Sequence, residues 1–367
     1  MCGIAGSINF PLDIPRLTRD LWHRGPDEQS TFAEGNLQLH HHRLAILDIA
    51  SGKQPMHSEH LTIIFNGEIY NHQEVRKRHG LLCKTNSDTE TILQAYLKLG
   101  TACLNDFDGM FAFIIYDRKA NSLFIARDRA GKKPVYYYNT PGKFVIASEL
   151  NALKNQVQSS INEEHIEQYL RYGAFHRSAT PYKDVYELPP GHYAMVSLAD
   201  CAVTLNQWWN IQAFYEQRTN DGLSAAIEKV DSILHTAIRR RLESSDLEVG
   251  SFLSGGIDSG LVTAIASQYN SSLKTFTVSF SGSYDEAPLA KLVAAKYKTH
   301  HTEINISFDA LQNDIEKILA NYGEPFYDDS AIPSYYVSRE AKKYLTVILN
   351  GDGSDELFGG YRRYVPF

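Results

Sequence analysis

The sequence predicts two successive folds of different class, a strand-rich α+β half followed by an α/β half built on a doubly wound parallel sheet. Three observations carry the prediction. Stretches 110–116, 123–126, 135–138 and 144–147 are rich in Phe, Tyr, Ile and Val and read as successive strands. From about Gly222, strand and helix patterns alternate, as they do in parallel sheets with crossover helices. The sharpest motif, Ser254-Gly255-Gly256-Ile257-Asp258-Ser259, lies between an apolar run at 247–253 and a helical pattern from Gly260. Such sheets bind ligands at that kind of strand end.

The bulk properties bound the answer. With 367 residues there is room for two proper cores. A hydrophobic content of 43% and a charged content of 22% are those of a soluble globular chain. The net charge of −7 leaves no electrostatic footprint for nucleic acid or a membrane surface, and neither is expected as a partner. The run Arg239-Arg240-Arg241 reads as the solvated end of a helix. No apolar run approaches the length of a membrane span, and no signal-peptide pattern opens the chain. A cytoplasmic location is therefore expected. Cys2, Cys83, Cys103 and Cys201 lack CxxC spacing, so neither a zinc site nor a disulfide framework is expected.

Taken in order, the chain opens Met1-Cys2-Gly3. A small second residue permits removal of the initiator methionine, which would leave Cys2 with a free α-amine of ordinary pKa near ~8. That amine could take the proton of its own thiol, and the thiolate is the nucleophile. Position alone would not single out this cysteine, because most are inert. His23-Arg24-Gly25-Pro26-Asp27 is a turn carrying charged groups, and His42-Arg43-Leu44-Ala45-Ile46 follows a strand. Residues 61–65 form a strand ending in Asn66-Gly67-Glu68, where Asn-Gly is also a hairpin signal. Ser87-Asp88-Thr89-Glu90 precedes an amphipathic helix with Ile92, Leu93, Tyr96 and Leu97 at helical spacing, so Ser87 or Asp88 could equally be a cap. The charged stretch 127–134 lies between two strands and is given no catalytic role. A last hairpin begins at 188–193 and ends near Trp208-Trp209. His40, His41 and His42 alternate across a strand, which argues against a metal.

In this order, after an N-terminal cysteine, these motifs resemble class II glutamine amidotransferase domains, whose fold is the N-terminal-nucleophile αββα sandwich. The resemblance implies a glutaminase in which Cys2 attacks the glutamine amide and releases ammonia. It places Asn66 and the N–H of Gly67 in the oxyanion hole, where donors act on developing charge. Arg43 would pair with the substrate carboxylate, Glu68 and Asp88 would receive its α-amine, and Leu44 and Ile46 would line the same site. A zwitterion needs such a fork donor at one end and carboxylates at the other.

In the C-terminal half a helix over 223–242 leads to the strand before Ser254. Strand 274–280, helix 287–297, strand 302–306, helices 308–320 and 331–343, and strand 345–349 follow. Gly255 and Gly256 let backbone N–H groups approach a phosphate at a helix N-terminus, while Ser254 and Ser259 offer hydroxyls and Asp258 a carboxylate for Mg²⁺. It is not the Walker loop, because no lysine follows. Asn350-Gly351-Asp352-Gly353-Ser354-Asp355-Glu356 carries more carboxylates than a turn needs and fits metal–phosphate chemistry.

The Ser254 loop resembles the pyrophosphate loop of ATP pyrophosphatases (adenine nucleotide α-hydrolase-like domains). With the Asn350 loop and the N-terminal half, it resembles the asparagine synthetase family over essentially the whole chain. The resemblance implies a glutaminase domain at 1–210 and a synthetase domain at 220–367, the second incomplete because family members continue with a helical region. It implies ATP and Mg²⁺ as cofactors. Ser254, Gly255, Gly256, Asp258 and Ser259 would bind pyrophosphate, Phe252, Val278, Asn350 and Gly351 the nucleotide, and Asp258 and Asp355 the metal. Asp352 would serve acyl-adenylate formation, and ammonia would reach the activated carboxyl by an internal tunnel. The resemblance allows a homodimer. Asn350 stands where the family often has Ser. Asp329, in Tyr327-Asp328-Asp329-Ser330-Ala331, falls where an Arg of the aspartate-holding stretch would sit. Aspartate is the expected acceptor, with another carboxylate such as a polysaccharide sugar acid, or a glutaminase with an inactive second half, as alternatives.

Overall fold

The computed structural model describes residues 1–361 and 364, apart from 177, 218, 281–285, 307–310, 327 and 329. The expectations resting on Tyr327 and Asp329, and the start of the helix expected from 308, lie outside the described residues. The chain divides into two compact units, Met1–Thr219 with Leu319–Tyr327, and Asn220–Ile318 with Asp328–Phe367. Among the described residues no helix is long and apolar enough to cross a membrane.

Among the described residues the first unit has twelve strands in two six-stranded sheets. In chain order they are β1 (Gly3–Ile8), β2 (Glu28–Glu34), β3 (Leu37–Arg43), β4 (Met56–Ser58), β5 (Leu61–Ile69), β6 (Gly109–Asp117), β7 (Ser122–Arg127), β8 (Tyr136–Thr140), β9 (Lys143–Ala147), β10 (Val185–Glu187), β11 (His192–Ser197) and β12 (Val203–Gln207). One sheet runs β10-β8-β9-β1-β3-β2 and the other β12-β11-β7-β6-β5-β4. Every ladder in them is antiparallel.

Period-two alternation decides which side chains meet. Ile4, Ile8, Leu37 and Leu39 of the first sheet face Ile64, Ala112, Ile114 and Ile125 of the second, and all are buried in one inter-sheet core. The opposite face of the first sheet, with Ala5, Val145 and Ala147, packs on helices α1 (Ile14–Leu21) and α2 (Leu150–Gln156) through Leu17, Leu21, Leu150 and Leu153. The opposite face of the second sheet, with Ile63, Phe65 and Phe113, packs on Val75, Ile92 and Leu93, the last two from the helix Asp88–Leu99. Helix, sheet, sheet, helix is the αββα sandwich expected.

The second unit holds a four-stranded parallel sheet, β15-β14-β13-β16, with β13 (Val249–Phe252), β14 (Lys274–Phe280), β15 (His300–Ile306) and β16 (Val347–Leu349). Helices Leu223–Glu243, Ile257–Tyr269 and Ala287–Tyr297 alternate with the strands. Ile238, Val249, Ile265, Ala266 and Leu349 form one buried cluster, Phe276, Ile304 and Tyr336 another. This is the α/β arrangement expected from the alternation.

Three details differ from the expectation. The strand at 61–65 does not end at Asn66-Gly67: β5 runs through them to Ile69, Asn66 paired with Ala112 and Gly67 with Phe111. The pairing with β6 overrides the turn preference of Asn-Gly. The 127–134 stretch is no solvated hairpin, since Arg127, Asp128 and Lys133 are buried. Arg239-Arg240-Arg241 is half-buried near the end of its helix rather than solvated.

Candidate active site

The glutaminase candidates lie on or beside β1, β3 and β5 of the first unit and at the start of the helix Asp88–Leu99. Cys2 immediately precedes β1, and its carbonyl accepts from Arg24 Nε at 3.0 Å. Arg24 is itself held by Glu149, Nη1 to Oε1 at 2.8 Å, and the same oxygen takes His23 Nε2 at 2.8 Å. The Cys2 thiol lies 3.8 Å from the Leu44 carbonyl. Burial pushes this thiol up, outweighing the lowering influence of the terminal ammonium. At neutral pH it stays protonated and needs a base at hand. Among the charges that act on it, the terminal ammonium comes first. Burial pushes it down to about 5, with Arg24 and Lys133 acting in the same direction.

Alternation along β3 puts Leu39, His41 and Arg43 on the inter-sheet face and His40 and His42 on the other. Arg43 is 3% exposed. Its Nη2 donates to the Asp48 carbonyl at 2.8 Å, and its Nη1 donates to the Ile49 carbonyl at 3.0 Å and meets Glu28 at 3.3 Å. The guanidinium is thereby fixed in one orientation. Leu44 and Ile46 follow in the irregular segment after β3, where Ala45 N–H donates to Asp27 at 2.8 Å.

Asn66 projects from β5 on the same side as Ile64, toward the first sheet. It is fully buried, and neither its Oδ1 nor its Nδ2 has a hydrogen-bond partner. A primary amide left so is costly, roughly 1–3 kcal/mol per group, and is satisfied only when water or a ligand meets it. Gly67 follows at φ +156°, and a Cβ there would lie 2.1 Å from the Met110 carbonyl oxygen. No other residue fits, so the backbone beside Asn66 can lie flat against β6.

Glu68 and Asp88 meet at the far end. Asp88 Oδ2 accepts from Ile69 N–H at 2.9 Å, and Ser87 caps the helix through Thr89 N–H at 3.2 Å. Burial and then the Asp88 charge push the Glu68 carboxyl well above the usual range, and burial raises Asp88 to about 6. One proton shared between two buried carboxyls is the state such a pair reaches without a cation.

Two residues in this region escaped the sequence reading. His41, held neutral by burial with a pKa down to about 3, donates Nε2–H to the Phe65 carbonyl at 3.3 Å and so braces the peptide that carries Asn66. Only its inward parity on β3 could have flagged it. Lys133 lies 3% exposed at the end of the 127–134 loop, its ammonium donating to the Met1 thioether. Lysine in a stretch bounded by apolar strands was the available signal.

In the second unit the Ser254 loop joins β13 to the helix Ile257–Tyr269, with Gly256 at the N-cap. Ser254 Oγ and Ser259 Oγ are 2.8 Å apart, Ser254 Oγ accepts from Gly256 N–H at 3.1 Å, and Gly255 N–H donates to Glu286 Oε2 at 3.2 Å. A carboxylate therefore sits on a loop N–H, as an anion would. The Asn350 loop follows β16, beside β13 in the sheet. A Cβ on Gly351 would come within 3.1 Å of Asp258 Cβ and 3.0 Å of Ser259 N, so the two loops pack directly. Asn350 Nδ2 donates to Asp352 Oδ2 at 2.6 Å. Phe252 and Val278 are half-buried beside the Phe276 cluster, at or near the ends of β13 and β14. Asp355 lies in the short helix Ser354–Phe358.

Among the described residues no three His, Cys, Asp or Glu side chains are placed to hold a metal ion. The donor chemistry nonetheless fits Mg²⁺, which usually takes one or two carboxylates and completes its shell with phosphate oxygens and water. Asp258, packed under Gly351, and Asp355 are of that kind.

Comparison with known proteins gives a consistent picture. A family model described as a glutamine amidotransferase domain matches residues 1–209, and one described as asparagine synthase matches 229–366. A putative glutamine-hydrolysing asparagine synthetase of Methanocaldococcus jannaschii is 34% identical, over 100% of this chain and 76% of its own length. Asparagine synthetase 1 of Bacillus subtilis is 34% identical over 99% of this chain and 59% of its own length. A putative asparagine synthetase of Mycobacterium tuberculosis is 32% identical over 99% of this chain and 61% of its own length. The chain thus spans about three quarters of the archaeal relative and about three fifths of the bacterial ones.

Proposed function

Because this chain belongs to the glutamine-hydrolysing asparagine synthetase family, we propose that it hydrolyses glutamine in its first unit and spends the ammonia on an ATP-activated carboxylate in its second. The division of labour follows residues 1–210 and 220–367. The observation that carries the first half is the fully buried, unpartnered amide of Asn66, on the same inter-sheet side as Arg43.

With Met1 removed, the Cys2 α-amine takes the thiol proton as sulfur adds to the glutamine amide carbon. Asn66 Nδ2 and Gly67 N–H stabilise the oxyanion. The amine returns the proton to the departing nitrogen, ammonia leaves, and water cleaves the thioester to glutamate. Arg43 pairs with the substrate carboxylate. The substrate α-ammonium supplies the cation that Glu68 and Asp88 lack, so binding releases their shared proton.

In the second unit, backbone N–H groups of Gly255 and Gly256 and the hydroxyls of Ser254 and Ser259 hold the β,γ-phosphates. Phe252, Val278, Asn350 and Gly351 receive the nucleoside. Asp258 and Asp355 would hold Mg²⁺, which when bound neutralises charge on the leaving pyrophosphate. Asp352 serves formation of the acyl-adenylate, in which the acceptor carboxylate attacks the α-phosphorus and pyrophosphate leaves; ammonia then converts the adenylate to an amide and AMP. Aspartate is the proposed acceptor.

The test is pyrophosphate release from Mg-ATP and an ammonium salt, with and without aspartate, alongside glutamine hydrolysis by wild type and Cys2→Ala. Aspartate-dependent release, with glutaminase lost in the variant, supports the whole reading. Glutaminase that survives Cys2→Ala overturns the first half. Release that ignores aspartate overturns the acceptor.

A further inference from the structure

The segment between β3 and β4 turns around Asp48. This residue sits at φ +48°, in the left-handed region where residues other than glycine are uncommon and aspartate is among those tolerated. Its carbonyl accepts from Gly52 N–H at 2.8 Å and from Arg43 Nη2 at 2.8 Å. One carboxylate oxygen, Oδ1, accepts from Ser51 N–H at 3.1 Å, a local bond of the kind aspartate makes in turns. A Cβ on Gly52 would lie 2.8 Å from both the Arg43 guanidinium and the Asp48 carbonyl oxygen, so the backbone closes directly on that arginine.

The second carboxylate oxygen makes a bond that a turn does not require. Oδ2 accepts from Asn86 N–H at 2.8 Å, 38 residues further along the chain. Asn86 leads straight into Ser87, the cap of the helix whose first residue is Asp88. Arg76 holds the same entry, donating Nη1 to the Thr85 carbonyl at 2.7 Å and Nη2 to the Ser87 carbonyl at 2.5 Å. Asp48 therefore grips Arg43 with its main chain and the approach to Asp88 with its side chain. Gln54, near the end of the same segment, adds a parallel link. Its Oε1 accepts from Phe65 N–H at 2.6 Å and its Nε2 donates to Thr89 Oγ1 at 3.3 Å.

We infer that Asp48 is a positioning residue of the glutaminase: it fixes the separation between the guanidinium that receives the substrate carboxylate and the carboxylates that receive its ammonium. The inference rests on the glutaminase reading above. An α-amino acid bears both charges on groups attached to one carbon, so the side chains that receive them must be held at one distance from each other. Arg43 ends a strand, Asp88 starts a helix much later in the chain, and Asp48 is bonded to both neighbourhoods at once. A looser tie would let each receiver find its own charge, but not both from one substrate together. Asp48 meets no reacting atom and exchanges no proton. It acts on binding and on the choice of substrate.

The experiment measures kcat and KM for hydrolysis of L-glutamine and of glutaramate, the same molecule without its α-amine, by wild type, Asp48→Gly and Asp48→Asn. Glycine adopts the positive φ freely, keeps the carbonyl that holds Arg43, and removes only the carboxylate. Wild type should prefer glutamine, because glutaramate offers no cation to Glu68 and Asp88. Asp48→Gly should raise KM for glutamine about fivefold, with kcat held within about twofold. Its constants for glutaramate should stay close to those of wild type, so the preference for glutamine shrinks. Asp48→Asn keeps the turn and one acceptor oxygen and should fall between the two; it carries the test if Asp48→Gly does not fold. A variant that lowers kcat/KM for both compounds by the same factor, or lowers kcat with KM unmoved, would make Asp48 structural and overturn the inference. So would variants indistinguishable from wild type. Wild type that treats the two compounds alike would instead overturn the placing of the substrate ammonium at Glu68 and Asp88. Glutaminase that survives Cys2→Ala would overturn the underlying reading itself.

Discussion

The two candidate sites use opposite physical strategies. In the first unit the working groups are side chains withdrawn from water: Asn66 is fully buried, and Arg43 and Asp88 are 3% and 4% exposed. In the second unit Ser254, Gly256 and Asp352 are exposed, and the Ser254 loop closes on itself through Ser254 and Ser259. The difference follows what each site must recognise. Glutamine is small, with one charge of each sign on its α-carbon and a neutral amide at the far end, so discrimination needs fixed donors and acceptors at low dielectric, where each contact counts. A nucleotide brings several negative charges of its own, and backbone N–H groups with exposed carboxylates suffice once it and its cation arrive. One site is organised before its substrate and the other largely by it.

That contrast can be broken by substitution. The largest effects should come from single atoms of each site. Asn66→Ala should lower kcat for glutamine hydrolysis by about 10²–10³, as expected for loss of an oxyanion donor, and leave ammonium-driven pyrophosphate release unchanged. Asp258→Asn should do the reverse, abolishing pyrophosphate release and sparing glutamine turnover. If either variant damages both reactions equally, the two sites are not independent.

A smaller effect tests preorganisation itself. Gly67→Ala forces a Cβ against the Met110 carbonyl, so thermal unfolding of the first unit should move down by several degrees, with glutaminase falling in parallel. Gly353→Ala, at φ +97° but with nothing near its Cβ, should cost only the backbone strain of about 1 kcal/mol. The same change in kind should therefore be costlier in the preorganised site.

The smallest effect is on stability against pH. The folded pKa of Asp88, raised to about 6, exceeds its unfolded value, so the folded state binds more protons than the unfolded one between roughly pH 4 and 6. Stability should be fully present below about pH 4 and fall as pH rises through 6, by on the order of 1–3 kcal/mol. Asp88→Asn should lessen that slope, Glu68 keeping its own contribution through burial, and stabilise the protein at pH 7 while raising KM for glutamine. A flat profile in the wild type would show that Asp88 is not desolvated without substrate.

Much of this was legible in the residues. Period-two spacing in β3 separated His41 from His40 and His42 correctly, and an apolar run, two glycines and a helical pattern located the Ser254 loop. What escaped were features decided at a distance. Asn66-Gly67 favours a turn locally, and only the ladder to β6, more than forty residues on, holds it in a strand. The burial of Lys133 depends on Asp128 collecting backbone amides, which no local propensity reports. The grouping of Leu319–Tyr327 with the first unit is equally invisible, because a short segment carries no signal of which core it joins.

The position of Cys2 just ahead of β1 has a consequence for how the protein is born. β1 is flanked by β3 and β9, so its second neighbour, 144–147, is made well over a hundred residues after it. At ~5–20 residues per second the terminus then stands open to an aminopeptidase for on the order of ten seconds before the sheet closes over it. An affinity tag fused ahead of Met1 would outlast that window and leave the nucleophile without its amine. A preparation tagged at that end should fold and bind nucleotide yet leave glutamine intact.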